Sequence, residues 1–272
     1  MCIAIIIRNL NHRFPLIVFH SREEDLDRPT SSLEIHDSVL SAVDVKANGV
    51  AAVGLNINSG RFAVLTNCRY KPGLNPAGAS RGELLKKILT HSSDNLDIQY
   101  QGMFHLYYGN MFNDLVYLTN VNKRFERKTL PTSPQKLDVI VRSNEHPETA
   151  SFFEPKISAI KNNLMETFSK NRNVDSVDEI ASLMDNALTS LHLPIPLFAA
   201  DNSFSWSQLS KENETFVLSH IFIPPLAIGG NAFFGTVSQS LIVSDATTQN
   251  AHFWYKCRPD WQWDKRRIPL IS

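Results

Sequence analysis

The chain has 272 residues, of which 43% are hydrophobic and 20% are charged, as is typical of one globular domain spanning residues 1–272. The 27 basic residues balance 27 acidic ones, which argues against a nucleic-acid surface because such a surface needs a basic excess. Three cysteines cannot build a disulfide framework and favour a reducing compartment, so a cytoplasmic location is expected.

The first distinctive feature is Cys2, which follows the initiator methionine and opens a β-branched run. Because residue 2 is small, removal of Met1 is expected, which leaves a thiol and an α-amine on one residue. The amine titrates near about pH 8 and can accept the thiol proton, the arrangement of an N-terminal nucleophile. The alternative is that Cys2 is simply a small buried hydrophobe.

Two strands are predicted at 2–8 and 15–20, joined by a polar turn. A hairpin of this length brings residue 2 opposite roughly residue 21, so Cys2 and Arg22 are expected to lie within one side-chain length. A guanidinium there lowers the pKa of the thiol or holds a ligand carboxylate. The alternative is that residues 21–24 form a solvated turn.

Three helices follow. Capping boxes predict helices that begin after Ser80 and Ser176, and apolar spacing predicts another over 156–170. Further strands are predicted at 50–56, 61–67, 103–108, 114–119, 216–223, 239–244 and 251–256. Two groups of strands around a helical middle indicate an α+β fold.

Several segments resemble the NRDE family, also called the Transport and Golgi organization protein 2 family. The segments that carry the resemblance are Met-Cys-Ile at residues 1–3, Ser-Arg-Glu-Glu at 21–24, Arg-Pro at 28–29, the run at 60–69, Ser-Arg-Gly at 80–82, Ser-Asn at 143–144, Pro-Lys at 155–156, and the runs at 219–223 and 234–240. Ser21, Glu23 and Val237 depart from the asparagine, aspartate and arginine usual in the family, so the chain resembles a divergent member.

The resemblance, with a more distant similarity to N-terminal nucleophile hydrolases of the bile-salt-hydrolase and penicillin-acylase type, implies a four-layer αββα fold with two stacked antiparallel sheets. It also implies catalytic roles for Cys2, Arg22, Glu23, Asn67 and Asn144 if the chain is a hydrolase. The two asparagine amides are the expected oxyanion donors. Asn144 can equally be a plain turn residue.

The NRDE family is associated with intracellular haem trafficking, so the resemblance implies a carrier that binds haem and passes it to haem-acceptor proteins. In that case Cys2, His20 or His220 is the expected axial ligand, and Arg22 is the expected partner of a propionate. The alternative is a Cys2-dependent hydrolase acting on an amide or thioester bond of a small acyl ligand. The changes at Glu23 and Val237 favour the carrier.

No metal site is expected, because the nine histidines and three cysteines include no His-x-x-x-His or Cys-x-x-Cys pair. The aromatic and basic runs at 253–255 and 261–267 are expected to pack across the sheets, with a peripheral membrane or partner contact as the alternative.

Overall fold

The computed structural model describes residues 2–68, 81–91, 102–113, 115–121, 125–131, 136–147, 150–189, 210, 212–213, 216–217, 220–229 and 232–270. The strands in these ranges are β1 (Ile3–Arg8), β2 (Leu16–Asp25), β3 (Glu34–His36), β4 (Val39–Asp44), β5 (Gly49–Asn56), β6 (Arg61–Asn67), β7 (Phe104–Asn110), β8 (Leu115–Thr119), β9 (Glu126–Leu130), β10 (Asp138–Arg142), β11 (Leu226–Gly229), β12 (Ala232–Asp245), β13 (Asn250–Cys257) and β14 (Asp264–Pro269). The helices are α1 (Arg81–Thr90), α2 (Ala150–Lys170) and α3 (Val177–Thr189). None of them is long and apolar enough to cross a bilayer.

The strands form two antiparallel sheets. Sheet A has the order β10-β1-β2-β12-β13-β14, with β11 also paired to β12, and sheet B runs in chain order from β3 to β9. The first and last thirds of the chain therefore meet in sheet A, where β12 pairs with β2.

Three apolar layers hold the sheets and helices together. One face of sheet A packs on α2 and α3, the opposite face packs on sheet B, and the outer face of sheet B packs on α1. The result is the expected four-layer αββα arrangement, with the carboxyl end of β2 and the start of β1 lying at one rim.

The pairing register of the β1–β2 hairpin determines the position of the start of the chain. Ile5 pairs with Phe19 on the helical side of sheet A, and Ile6 pairs with Val18 on the side facing sheet B. Because a one-residue slip would exchange these two buried faces, the register is strongly determined. Ile3 pairs with Ser21, so the next position along the chain sets residue 2 across from residue 22, one position beyond the predicted residue 21.

Two sequence predictions near this rim are wrong: the end of the second strand at residue 20, since β2 continues to Asp25, and a strand at 216–223. The alternative of a solvated turn at 21–24 does not hold either. Residues 21–24 belong to β2 and are largely buried, because β12 covers the second edge of β2; they are not a solvated turn. Of the strand predicted at 216–223, none of the described residues is in a strand. The main-chain N–H of His220 donates to the Phe216 carbonyl at 3.0 Å, which is a helical turn, and strand structure begins only at Leu226.

The boundaries of the other predicted elements differ less from those in the structure. The Ser176 cap is confirmed, since the Glu179 N–H donates to its Oγ at 3.2 Å, whereas the Ser80 cap lies outside the described residues. Helix α2 begins at Ala150, ahead of the predicted residue 156. In the aromatic and basic runs, Trp254 is buried in the core under α2 and α3, and Trp263 packs against that core.

Candidate functional site

The site is centred on Cys2, at the open end of the β1–β2 hairpin. Its Sγ lies 3.8 Å from the Glu23 carbonyl oxygen, to which the thiol donates. Its own carbonyl accepts a hydrogen bond of 2.9 Å from Ser143 Oγ. Contacts from two strands on either side of β1 therefore fix the residue at the rim.

Asn144 joins Cys2 to the second sheet. Its Oδ1 accepts a hydrogen bond of 2.5 Å from the Cys2 main-chain nitrogen, and its Nδ2 donates to the Asn67 carbonyl. Since Cys2 N is a donor and Asn67 O an acceptor, the two partners together determine which way the amide faces. Asn144 is buried and bridges two other proposed site residues, so the plain-turn interpretation does not describe it.

A layer of side chains that the sequence analysis did not select holds the Asn144 turn in place. The Glu145 carbonyl accepts hydrogen bonds from Cys68 Sγ at 3.0 Å and from His105 Nε2 at 2.7 Å. The Glu145 carboxylate accepts from the Ser143 N–H at 2.7 Å and from Arg142 Nη1 at 3.0 Å. The only signal in the sequence was the Ser-Asn segment at 143–144, because His105 and Cys68 come from distant parts of the chain.

Glu23 is fully enclosed beside Cys2. Its Oε1 accepts a hydrogen bond of 2.6 Å from Ser21 Oγ and lies 3.5 Å from Thr236 Oγ1. Burial raises the pKa of the Glu23 carboxyl. The charge of the buried Lys156 opposes that shift, although the Lys156 ammonium itself donates to the carbonyls of Val217 and His220. Lys156 is thus another residue near the site to which the sequence analysis assigned no role.

Val237 occupies the position where β12 departs from regular pairing. The register between β12 and β2 shifts between Thr236 and Ser238, so Val237 is the extra residue of a bulge and is buried. Bulges of this kind re-aim neighbouring side chains. The family arginine is absent here, and an apolar side chain fills the space.

Arg22 lies in a buried ionic cluster that reaches sheet B. Its Nη2 is 2.8 Å from Asp44 Oδ2 and 3.5 Å from Glu24 Oε2. Arg28 contacts the same two carboxylates, at 3.0 Å and 3.3 Å. Burial alone would raise the pKa of Asp44, but Arg22 and Arg28 hold it below its ordinary value.

The electrostatics of the thiol differ from the sequence prediction. Arg22 acts in the expected direction and lowers the pKa of Cys2, but burial is the larger influence, so the net pKa is raised. Burial also raises the pKa of Cys68, to about 12. Neither thiol is activated by its surroundings alone, and the proposed activation of Cys2 depends on the α-amine.

The two candidate haem histidines lie in different settings. His20 is 2% exposed within β2, and burial lowers its pKa to about 3, so its imidazole is neutral. His220 is half-buried, lies outside any strand, and stacks on the Phe216 ring with 3.7 Å between ring centroids. Among the described residues, no group of three or more His, Cys, Asp or Glu side chains is arranged to hold a metal ion.

Comparisons with known proteins bear on this geometry. The family model described as Transport and Golgi organisation 2 matches residues 1–256. No curated protein sequence shows a significant match to the chain.

Among solved structures, the chain is similar to penicillin V acylase from Agrobacterium tumefaciens, with a TM-score of 0.51 and 10% identity over 99% of this chain and 86% of that one. It is also similar to a variant of conjugated bile acid hydrolase from Clostridium perfringens, with a TM-score of 0.48 and 8% identity over 97% of this chain and 92% of that one. At 10% identity the similarity to penicillin V acylase establishes the fold alone, which is that of the N-terminal nucleophile hydrolases.

Proposed function

Since the chain belongs to the Transport and Golgi organisation 2 family and has an N-terminal nucleophile hydrolase fold, we propose that it cleaves an amide or thioester bond of an acyl substrate, with Cys2 as the nucleophile. The observation that carries this proposal is the convergence of Cys2, Arg22, Glu23, Asn67 and Asn144 at one rim of the two sheets. These residues are far apart in sequence, and a merely structural cysteine has no need of them.

The proposed reaction starts from the chain without Met1. The α-amine of Cys2 takes the thiol proton, and Sγ attacks the substrate carbonyl carbon. The amine then passes that proton to the leaving amine or thiol, which leaves an acyl thioester on Cys2. Water cleaves this thioester, releasing the acid and restoring the thiol.

Asn144 is the proposed oxyanion donor. Its Nδ2 carries two hydrogens, and the Asn67 carbonyl takes one of them. The second is available to the negative oxygen that develops during attack, and a fixed donor of this kind typically contributes about 3 kcal/mol to lowering the barrier. Because Oδ1 is held by the Cys2 nitrogen, the donor cannot rotate away.

The test uses the full chain, after intact-mass measurement has established whether Met1 is removed. A panel of acyl p-nitroanilides and acyl thioesters is offered to the wild type and to the Cys2→Ala and Cys257→Ala variants. We expect turnover of at least one substrate, lost in Cys2→Ala and kept in Cys257→Ala, with both variants folded. Turnover that survives in Cys2→Ala, or no turnover of any substrate, would refute the proposal.

Haem binding is a second candidate, favoured by one observation. The hairpin register sets residue 2 across the ladder from Arg22, so a thiolate ligand and a guanidinium partner for a propionate would come from neighbouring positions. We propose Cys2 ahead of His20 and His220 as the ligand, because His20 is almost completely buried and His220 is stacked on Phe216.

Haemin titration followed by optical spectroscopy separates the two candidates. If the chain carries haem, the Soret band shifts, Cys2→Ala changes the ligation state, and Arg22→Ala weakens affinity by about 1–3 kcal/mol. A spectrum in Cys2→Ala identical to that of the wild type would exclude Cys2 as the ligand. Haemin binding no stronger than to an unrelated protein would exclude the carrier role altogether.

A further inference from the structure

We infer that Arg22, Arg28 and Arg81 form a subsite beside Cys2 that binds an acidic oxyanion group, a carboxylate or a phosphate, on the substrate. The inference deepens the proposed function, because it rests on Cys2 being the residue that meets the substrate. It assigns a chemical class to that substrate: an acyl compound with an acidic group close to the bond that is cleaved.

The three guanidinium groups of this subsite come from separate elements. Arg22 comes from β2, Arg28 from the turn that follows it, and Arg81 is the first residue of α1. Burial and the charge of Arg28 both lower the pKa of Arg81, while the charges of Glu24 and Cys2 oppose this shift. Packing places Arg81 beside the cluster independently: a Cβ on the neighbouring Gly82 would lie 2.9 Å from the backbone of Gly49 and Val50. Gly49 in turn pairs with Asp44, the carboxylate that Arg22 and Arg28 share.

The cluster holds more hydrogen-bond donors than its carboxylates can accept. Arg22 is 5% exposed, and its Nη2 pairs with Asp44. Its Nη1 is buried and has no hydrogen-bond partner among the residues that the structure describes. Arg28 engages Asp44 and Glu24 through Nε and Nη1. In the part of the chain that the structure describes, the Arg81 guanidinium makes no hydrogen bond or ion pair.

Other acidic groups near the cluster already interact with other residues. The charge of Asp25, at the end of β2, helps to raise the pKa of Arg28. Glu23 accepts a hydrogen bond from Ser21 on the other side of the strand ladder. Burying a guanidinium donor without an acceptor is costly. A ligand oxyanion would supply the missing acceptors, and guanidinium forks match the two oxygens of a carboxylate or phosphate.

The position of Arg81 is built by two glycines. A Cβ on Gly102 would lie 2.2 Å from Arg81 Nη1, so the guanidinium lies directly against this glycine. A Cβ on Gly82 would lie 2.9 Å from the backbone of Gly49 and Val50, so the start of α1 packs directly on β5. Backbone packing thus fixes the base of the side chain, and its tip lies against Gly102.

A pair of alkylating reagents tests the subsite without requiring any catalytic turnover. Iodoacetate and iodoacetamide attack the same thiol, but only iodoacetate carries a carboxylate. We expect the ratio of their rates at Cys2 to exceed the ratio at Cys257 in the same protein by about tenfold, the lower end of electrostatic steering effects. Arg81→Met should bring the two ratios together, Arg81→Lys should restore part of the difference, and the exposed Arg266→Met should change nothing.

Protection experiments identify the acidic group. Glutarate or methyl phosphate should slow iodoacetamide labelling of Cys2 in the wild type but not in Arg81→Met, whereas the neutral pentanamide should not protect; whichever acid protects better identifies the class. Equal rate ratios at Cys2 and Cys257, or protection unchanged in Arg81→Met, would overturn the subsite. An intact anion preference in a protein that turns over no acyl substrate would refute the proposed reaction and leave the subsite standing.

Discussion

Asn144 holds Cys2 to the second sheet, accepting a 2.5 Å hydrogen bond from the Cys2 main-chain nitrogen while donating to the carbonyl of Asn67. The start of β1 and the end of β6 are thereby joined through one buried amide. Any chemistry at Cys2 depends on this amide, because the nitrogen that it holds is the proposed base.

Asn144→Asp tests this bridge. The carboxylate keeps an acceptor for Cys2 N but loses the donor to Asn67 O, so two acceptors face each other. We expect the free energy of unfolding to fall by about 1–3 kcal/mol, as for a buried group left without its partner. Chemical denaturation measures it, with Asn162→Asp on the exposed face of α2 as the control. Equal effects of the two substitutions would contradict the bridging role.

The buried His20 predicts a pH dependence of stability. Burial lowers its pKa from 6.5 to about 3, so folded His20 stays neutral while the unfolded imidazole takes up a proton as the pH falls below 6.5. The stability is thus fully present above pH 6.5 and declines between pH 6.5 and about 3, by about 1.4 kcal/mol per pH unit for this residue.

His20→Leu should remove this contribution and flatten the curve between about pH 4 and pH 6. Denaturant titrations at several pH values compare it with the wild type and with His12→Leu, a change at an exposed position. A His20→Leu curve as steep as that of the wild type would show that His20 is protonated in the folded protein.

Lys156→Met tests the cation behind Glu23. Lys156 is 3% exposed, and its ammonium donates to the carbonyls of Val217 and His220. Removing it leaves two carbonyls without their donor and Glu23 without a nearby positive charge, so we expect a loss of about 1–3 kcal/mol and a further rise in the pKa of Glu23. Lys161→Met, at an exposed position of the same helix, should leave the free energy of unfolding unchanged. If Lys156→Met also left it unchanged, the relief of desolvation would outweigh these contacts.

Gly82→Ala should separate α1 from β5. Alanine favours a helix by about 1 kcal/mol over glycine, but its Cβ would meet the backbone of Gly49 and Val50 at 2.9 Å. We expect a net loss of about 1–3 kcal/mol, because backbone cannot move aside as a side chain can. Gly54→Ala is the matched comparison, since its Cβ meets the tip of Leu89, which can rotate. Thermal unfolding should rank Gly82→Ala as the less stable variant.

The sequence by itself determined the elements whose pattern is local. Continuous β-branched and apolar runs in β1 and β2, with a short polar turn between them, indicated a hairpin and so brought Cys2 close to residues 21 and 22. Apolar spacing of 3.6 residues located α2 and α3, and the Ser176 capping box located the start of α3. The motifs around Cys2 then indicated the family and, through it, the four-layer fold.

Only the tertiary structure decided what depends on distant partners. Residues 21–24 form strand because β12, more than two hundred residues later, pairs with β2. The short or charged edge strands β3 and β9 carry no apolar alternation, so only their neighbours reveal them. The thiol of Cys2 illustrates the same limit: a nearby arginine can be read from the sequence, but the burial that outweighs it arises from packing among elements far apart in the chain.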